Sequence, residues 1–283
     1  MAANTEKSYQ ERILAVLIYI QNHLDDPLSL EKLASIAHFS PYHFHRVFSG
    51  LMGESVKNYL RRLRLERAIR DLAFTELSLI QISERAGYDT QASFQRAFKE
   101  AYKKTPLTLR KKARKNLVEL RETIDTKKPF VEVKKIEPIK VAFVRHVGSY
   151  SNLTAAWLQL KTQVGMSHLL SEKTKKIGIP YDSVDITPTD KLRYDACVTL
   201  EGLEDFKPTG KVGVQTLQGG KYAIITHYGD IEKIESTYNI LFSVWLPQSR
   251  YEPADAPNFI LHRKIPYQTP MELLETDIYL PLK

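Results

Sequence analysis

Through the first 115 residues the hydrophobic positions recur three and four apart; after residue 130 they alternate. The chain therefore reads as a helical segment followed by a mixed segment of strands and helices. Ile13, Leu17, Ile20 and Leu24 predict a helix over 8–24, ended by Asp25-Asp26-Pro27. Ser29 caps a short second helix, LEKLASIAH. Ser40 and Pro41 open a third, SPYHFHRVF, with Phe44, Val47 and Phe48 as its buried stripe. Tyr42, His45 and Arg46 are left pointing outward, while His43 is expected to pack. Gly53 is the expected C-cap. Ser55–Phe74 then predicts a long helix with Val56, Tyr59, Leu60, Leu63, Ala68 and Leu72 inward. Its arginines, Arg61, Arg62, Arg64, Arg67 and Arg70, are expected mostly outward.

The same pattern returns. Ser78 and Gln81 form a capping-box pair. Leu79, Ile82, Ala86 and Tyr88 repeat Leu30, Leu33, Ala37 and Phe39 at an offset of 49. Ser93–Phe98 repeats His43–Phe48 at an offset of 50, so the extra residue falls in the turn. Matching apolar positions show only a repeated fold. Arg46 and Arg96 match as well, on a polar face where packing demands no arginine. Two helix-turn-helix units on a stiff helix can occupy successive major grooves, about 34 Å apart, on one side of a duplex.

After a charged stretch, Lys111–Lys128, the period changes. FVEVKKI and KVAFVRHVG alternate as strands do, and AAWLQLKTQV reads as a helix. From Gly213 this order restarts at an offset of 81: Ala142/Ala223, His146/His227, Gly148/Gly229, Trp157/Tyr238 and Leu160/Leu241 all pair. Two such units predict a pseudo-two-fold domain with an antiparallel sheet, helices on one face and a groove where the halves meet. The expected division is 1–115 for the helical domain, 116–129 for a linker and 130–283 for the α+β domain. The repeated histidines are explained by fold geometry rather than by metal binding or catalysis.

Charge sharpens this division. Residues 1–115 hold 20 Lys and Arg against 12 Asp and Glu, whereas the rest of the chain holds 21 of each. The whole excess of positive charge sits in the helical segment, as a polyanion-binding domain requires. Apolar residues make up 43%, enough for a proper core in both halves. The single cysteine, Cys197, excludes an intramolecular disulfide and fits a buried structural thiol in a reducing compartment. The start lacks a signal-peptide pattern and the longest apolar run is Ile13–Ile20, so a cytoplasmic protein without a membrane segment is expected.

The stretch 29–68 followed by 79–111 resembles the DNA-binding domain of AraC-type transcription regulators. The resemblance rests on Ile82, Ala86, Gly87, Tyr88, Ser93, Phe94, Arg96, Phe98, Lys99, Pro106 and Arg110, with Arg85 as an odd residue beside an alanine that must pack. It implies double-stranded DNA as partner. The family's base-reading positions fall on Pro41, Tyr42, His45 and Arg46, and on Gln91, Ala92, Ser93 and Arg96. Pro41 and Ala92 offer no side-chain hydrogen bond. Arginine suits guanine O6 and N7, and glutamine suits adenine or a phosphate. Lys57, Arg61, Lys99, Lys103, Lys104 and Arg110 are expected on phosphates.

Residues 130–283 resemble the GyrI-like effector-binding domain, through GIPYD (178–182), RYDAC (193–197), GGKYA (219–223), HYG (227–229), WLP (245–247) and TDIYLPL (276–282). This likeness implies a small hydrophobic or aromatic effector held in the seam. Tyr150, Tyr181, Glu201, Tyr222, Trp245, Tyr251 and Ile260 are the candidate contacts. Where many members carry a Glu, in P-x-F-E-x-Y, this chain has Ile260. Either the effector is neutral, or Glu201 or Glu275 substitutes, or ligand sensing is lost. A sequence-specific regulator of transcription with an effector-sensing domain is the leading expectation. Alternatives are hydrolysis of a small reactive compound, or a domain that only binds a protein such as RNA polymerase. No catalytic triad or metal cluster is visible, and no cofactor is implied.

Overall fold

The computed structural model describes residues 2–123, 130–184, 186–203, 205–264 and 269–283. The chain divides into two compact units, Met1–Glu119 and Leu120–Lys283. No helix among the described residues is long and apolar enough to cross a membrane.

The first unit is helical throughout: α1 (Ala2–Asn22), α2 (Leu30–Ile36), α3 (Pro41–Met52), α4 (Val56–Phe74), α5 (Leu79–Arg85), α6 (Gln91–Tyr102) and α7 (Pro106–Thr123). Helix starts follow the local chemistry. Ser29, Ser40, Ser55 and Ser78 each accept a hydrogen bond from the amide three residues on. Ser78 and Gln81 complete a reciprocal capping box. Helix α1 begins earlier than the periodicity indicates. Helix α7 runs on to Thr123, through much of the expected linker, and 124–129 lie outside the described residues.

Ile13, Leu17 and Ile20 of α1 share one core with Leu33, Phe44, Phe48, Tyr59 and Leu63. In the second repeat Ile82, Phe94 and Phe98 are fully buried, and Tyr88, Phe94, Phe98 and Tyr102 pack ring against ring. The two tight turns use equivalent positions differently. Gly87 has φ +77°, and its counterpart 49 residues earlier is His38, at φ 52°. At the helix ends Gly53 (φ 68°) corresponds to Lys103 (φ 55°), 50 residues on.

The arginines of α4 depart from expectation. Arg61 and Arg70 are exposed, but Arg62, Arg64 and Arg67 turn inward. Arg64 donates from Nε to the Leu24 carbonyl at 3.2 Å and from Nη2 to the Asp26 carbonyl at 2.9 Å. Arg67 donates to the Arg85 carbonyl at 2.5 Å and pairs with Asp25 at 2.7 Å. These carbonyls lie at or just past the ends of α1 and α5, where helices leave acceptors without an intrahelical donor. Arg85 itself pairs with Asp71 at 3.3 Å, which explains its presence beside the buried Ala86. A Cβ on Gly87 would stand 2.7 Å from the Arg64 guanidinium, which would have to shift, and the backbone angle at this turn favours glycine.

The second unit is built on one eight-stranded antiparallel sheet: β1 (Glu132–Ile136), β2 (Ile139–Val147), β3 (Lys176–Pro180), β4 (Arg193–Thr199), β5 (Val212–Leu217), β6 (Gly220–Tyr228), β7 (Phe259–His262) and β8 (Glu275–Leu282). The order is β1-β6-β8-β7-β3-β4-β2-β5. The halves meet at the β7–β3 pair, where Ile260 lies opposite Gly178. Each half contributes its first strand to the other: β1 pairs with β6, and β5 with β2. Two-residue connections, 137–138 and 218–219, link strands that stand far apart in the sheet order, so the sheet curls strongly. The connections touch: a Cβ on Gly219 would lie 2.7 Å from Pro138 Cδ.

Helices α8 (Thr154–Val164) and α9 (Met166–Leu170) belong to the first half. Ala156, Leu160 and Val164 of α8 cover Ala142, Val144, Ala196 and Val198. In the second half α10 (Ile234–Asn239) continues into a π-helical turn, Ile240–Trp245, which places Leu241 over Ala223, Ile225, Ile278 and Leu280. The repeat extends to buried charge. Asp195 is held by Arg145 through two bonds of 2.8 Å, and its counterpart Asp277 accepts from Thr226 and from Arg263, each at 2.7 Å. His146 and His227 each bond a carbonyl three residues on, at 2.9 and 2.8 Å, and so brace equivalent turns.

Replacing Arg67 by Met leaves Asp25 and the Arg85 carbonyl without their buried donor. It is expected to cost the helical unit about 1–3 kcal/mol, read as a drop in urea midpoint. His38→Gly relieves a left-handed backbone and is expected to raise stability by about 0.5–1 kcal/mol in the same measurement.

Candidate functional site

The exposed faces of α3 and α6 are the first candidate surface. Each helix buries two phenylalanines, Phe44 and Phe48 or Phe94 and Phe98, and so turns its polar side outward. Tyr42 is 72% exposed, and His45, Arg46 and Arg96 are exposed with it. Arg46 donates to the Tyr42 hydroxyl at 3.1 Å, and its guanidinium lies 5.8 Å from the centre of that ring. The position equivalent to Tyr42 in α6 is Ala92, so Arg96 has no such partner. Gln91 and Ser93 are half-buried at the start of α6. The Ser93 hydroxyl is engaged locally, donating to the Thr90 carbonyl at 2.8 Å. His43 packs as expected: its ring bonds the Tyr9 hydroxyl at 3.1 Å and meets Phe39 edge-on.

Lys57, Lys99, Lys103 and Lys104 are exposed and carry no ion pair among the described residues. Arg61 is exposed but donates to Glu100 at 2.7 Å, and that hydrogen bond holds its guanidinium above the ordinary range. Arg110 differs from expectation. It turns inward to the Leu77 carbonyl at 2.6 Å, and burial lowers its pKa. The carbonyl lies in the α4–α5 turn, so Arg110 pins α7 against that turn and does not present a free charge.

In the second unit the seven expected contacts do not converge. Ile260 faces the helices and is 5% exposed. Tyr150 also packs on that side, its hydroxyl donating to the carbonyls of Asp182 and Arg193 at 2.9 and 3.0 Å. Tyr181 lies on the opposite face and donates to Asp195 at 2.8 Å; burial pushes its hydroxyl pKa well up. Asp182 pairs with Arg193 at 2.5 Å. The GIPYD and RYDAC stretches thus build a buried charge network rather than a ligand wall. Trp245 and Tyr251 stack on each other, centroids 6.1 Å apart. Glu275 is paired to Lys264 at 2.5 Å, so it does not stand in for the missing seam carboxylate. Cys197 is buried and burial raises its thiol pKa, as a structural role requires.

The seam on the helix side is tightly packed at Gly178. A Cβ on Gly178 would stand 1.9 Å from the Tyr194 hydroxyl oxygen and 3.0 Å from Ile260. His262 lies beside Trp157 there, ring centroids 6.2 Å apart, and burial lowers its pKa to about 4.

The face away from the helices carries a cleft of about 460 Å³ beside the turn 136–140. Ile177, Phe259, Leu261 and Tyr279 form its floor, and Glu137, Lys140, Lys175 and Glu201 stand at its rim. Phe259 and Tyr279 stack at 4.5 Å with 13° between their planes. The four charged groups are exposed and make no ion pair among the described residues. Of the expected contacts Glu201 lines this cleft. Tyr222 packs behind it on Phe259 and Tyr279, with its hydroxyl donating to the Gln218 carbonyl at 2.8 Å. Tyr279, Leu261 and Ile177 had only their alternation as a signal, because strand curl and pairing decide which alternating residues share a cavity.

The family described as GyrI-like small molecule binding domain matches residues 129–283, and a helix-turn-helix domain family matches 33–112. Over 96 residues the chain is 34% identical to the transcriptional regulator Rob of Salmonella typhimurium, covering 34% of this chain and 33% of Rob. The right origin-binding protein of Escherichia coli K12 matches with the same identity and coverage. The Tn10 TetD protein of Escherichia coli is 32% identical over 111 residues, covering 37% of this chain and 80% of TetD. The matched region thus spans about a third of the length of the first two relatives.

His262 generates a pH prediction. Its folded pKa lies below the unfolded value of about 6.5, so the unfolded chain binds the extra proton first. The stability held above pH 6.5 is lost progressively as pH falls toward 4. His262→Phe is expected to flatten the dependence of the urea midpoint in that window. An unchanged slope would mean that His262 is not responsible.

Proposed function

The chain belongs to the GyrI-like small molecule binding domain family and carries an AraC-type helix-turn-helix domain ahead of it; from this premise we propose that it is a sequence-specific DNA-binding transcription regulator governed by a small effector. The observation that carries the reading is the pairing of Arg46 and Arg96. They occupy the same position of two repeats, both exposed, each opposite a buried phenylalanine stripe. A bidentate arginine on guanine is the commonest specific contact in the major groove.

In this reading Arg46 and Arg96 read bases, with Tyr42, His45 and Gln91 beside them. Ser93 acts mainly as a local brace, since its hydroxyl is already engaged. Lys57, Lys99, Lys103 and Lys104 neutralise phosphates and set the register on the duplex. Arg61 joins them by exchanging Glu100 for a phosphate oxygen. Arg110 supports the fold and leaves the set of phosphate contacts. The GyrI-like unit supplies the effector site, and the apolar Ile260 buried on its helix side argues against a cationic ligand there.

Electrophoretic shifts with genomic fragments test the reading: binding is expected to prefer particular sequences and to weaken steeply with salt. Arg96→Ala is expected to cost about 1–3 kcal/mol and to relax preference at one base pair. Lys103→Ala is expected to weaken all sequences evenly and to reduce the salt slope by about one. Identical behaviour of the two variants would overturn this sorting. Loss of preference in neither would overturn the regulator itself.

A further inference from the structure

We propose that Tyr42 is a positioning residue for Arg46, and that the first recognition helix therefore discriminates its base pair more sharply than the second. The inference rests on the reading of Arg46 and Arg96 as base readers and adds what sets the stringency of each.

The two helices offer a comparison within one chain. Both start from a side-chain cap, Ser40 or Thr90, and both bury a pair of phenylalanines. Arg46 and Arg96 occupy equivalent places on them, at the offset of 50. The residue four positions earlier differs: Tyr42 in α3 and Ala92 in α6, both exposed. On a helix, residues at i and i+4 lie one above the other, and a long side chain at i+4 leans back over residue i. Arg46 does so. Its Nη1 donates to the Tyr42 hydroxyl at 3.1 Å, and its guanidinium carbon lies 5.8 Å from the ring centre. Arg96 has only a methyl group at that position and carries no hydrogen bond or ion pair among the described residues. The two hydroxyls at the start of α6, Thr90 and Ser93, bond each other at 3.0 Å.

Packing does not ask for the tyrosine. At 72% exposed it adds little to the core, so a purely structural role does not account for it.

The geometry suits the task. Guanine presents O6 and N7 in one plane, and a guanidinium reads both only when two of its N–H groups point into that plane. The bond from Nη1 leaves Nε and Nη2 free, and these two form one edge of the planar fork. Tyr42 thus holds the group without using the edge that a base needs. An untethered Arg96 can swing to a neighbouring base or phosphate when guanine is absent, so a wrong base costs it less.

Competition gel shifts with the full chain test this, on duplexes in which single base pairs are changed in turn. Arg46→Ala and Arg96→Ala identify the two base pairs concerned, as those whose preference each variant erases. The unaltered protein is expected to discriminate about threefold more strongly at the Arg46 pair than at the Arg96 pair. Tyr42→Phe keeps the ring and removes the hydroxyl. It is expected to lower preference at the Arg46 pair by about threefold, to leave the Arg96 pair unchanged and to add nothing in an Arg46→Ala background. Ala92→Tyr rebuilds the same couple in α6 and is expected to raise preference at the Arg96 pair by a similar factor. Should the added ring obstruct binding, Tyr42→Phe decides alone. Unchanged preference at the Arg46 pair in Tyr42→Phe would overturn the proposal. So would an effect of Tyr42→Phe that persists without Arg46 or falls only on a neighbouring base pair, because Tyr42 would then read a base itself. If Arg46→Ala and Arg96→Ala erase no preference, the base-reader assignment fails and this inference falls with it; if they do and Tyr42→Phe does not, only this inference fails.

Discussion

Arg64 and Arg67 of the central helix hold the DNA-binding unit together. Arg64 serves the carbonyls just past the end of α1, and Arg67 serves Asp25 there and the carbonyl at the end of α5. Helix ends expose acceptors that no amide of their own helix can satisfy. A guanidinium, with five donors in a planar fork, can serve several such groups at once. The same helix therefore closes both repeats, and Asp25, Asp71 and Arg85 complete the charge balance around it. The spacing between α3 and α6 then depends on one stiff element of 19 residues, about 28 Å long. Two recognition helices fixed in this way can address two turns of one duplex without a second subunit.

The two repeats of this unit are not equal. Arg46 is steadied by Tyr42 four residues earlier, whereas Arg96 stands beside Ala92. A pre-positioned guanidinium loses less rotamer entropy on binding, so Arg46 is the more rigid of the two side chains and Arg96 the freer to adapt. The turns show the same asymmetry, with glycine in one repeat and His38 or Lys103 in the other.

In the second unit the constraint is closure. Each half lends its opening strand to the other, and the two short connections meet at Gly219 and Pro138. The sheet must curl for this to happen. Curling buries the Asp195–Arg145 pair and the Asp277 carboxylate and gathers Ile177, Leu261, Phe259 and Tyr279 around a cleft. Ile260, on the other side of the same strand, packs among the helix-side hydrophobics.

Periodicity, caps and the two internal repeats made most of the elements and both domain types legible, because helices α2 to α6 each start at their own serine or threonine. The outward arginines Arg46 and Arg96 were legible for the same reason. The inward turn of Arg62, Arg64 and Arg67 was not, since a helical face looks equally polar whether its charges meet water or the ends of other helices. The expected effector contacts were drawn mainly from aromatic residues. Strand alternation says that Tyr181, Tyr222 and Ile260 each take a side, but not which side faces a cavity. That was decided by the exchange of edge strands between the halves and by the curl it imposes, a long-range pairing that no window of sequence contains.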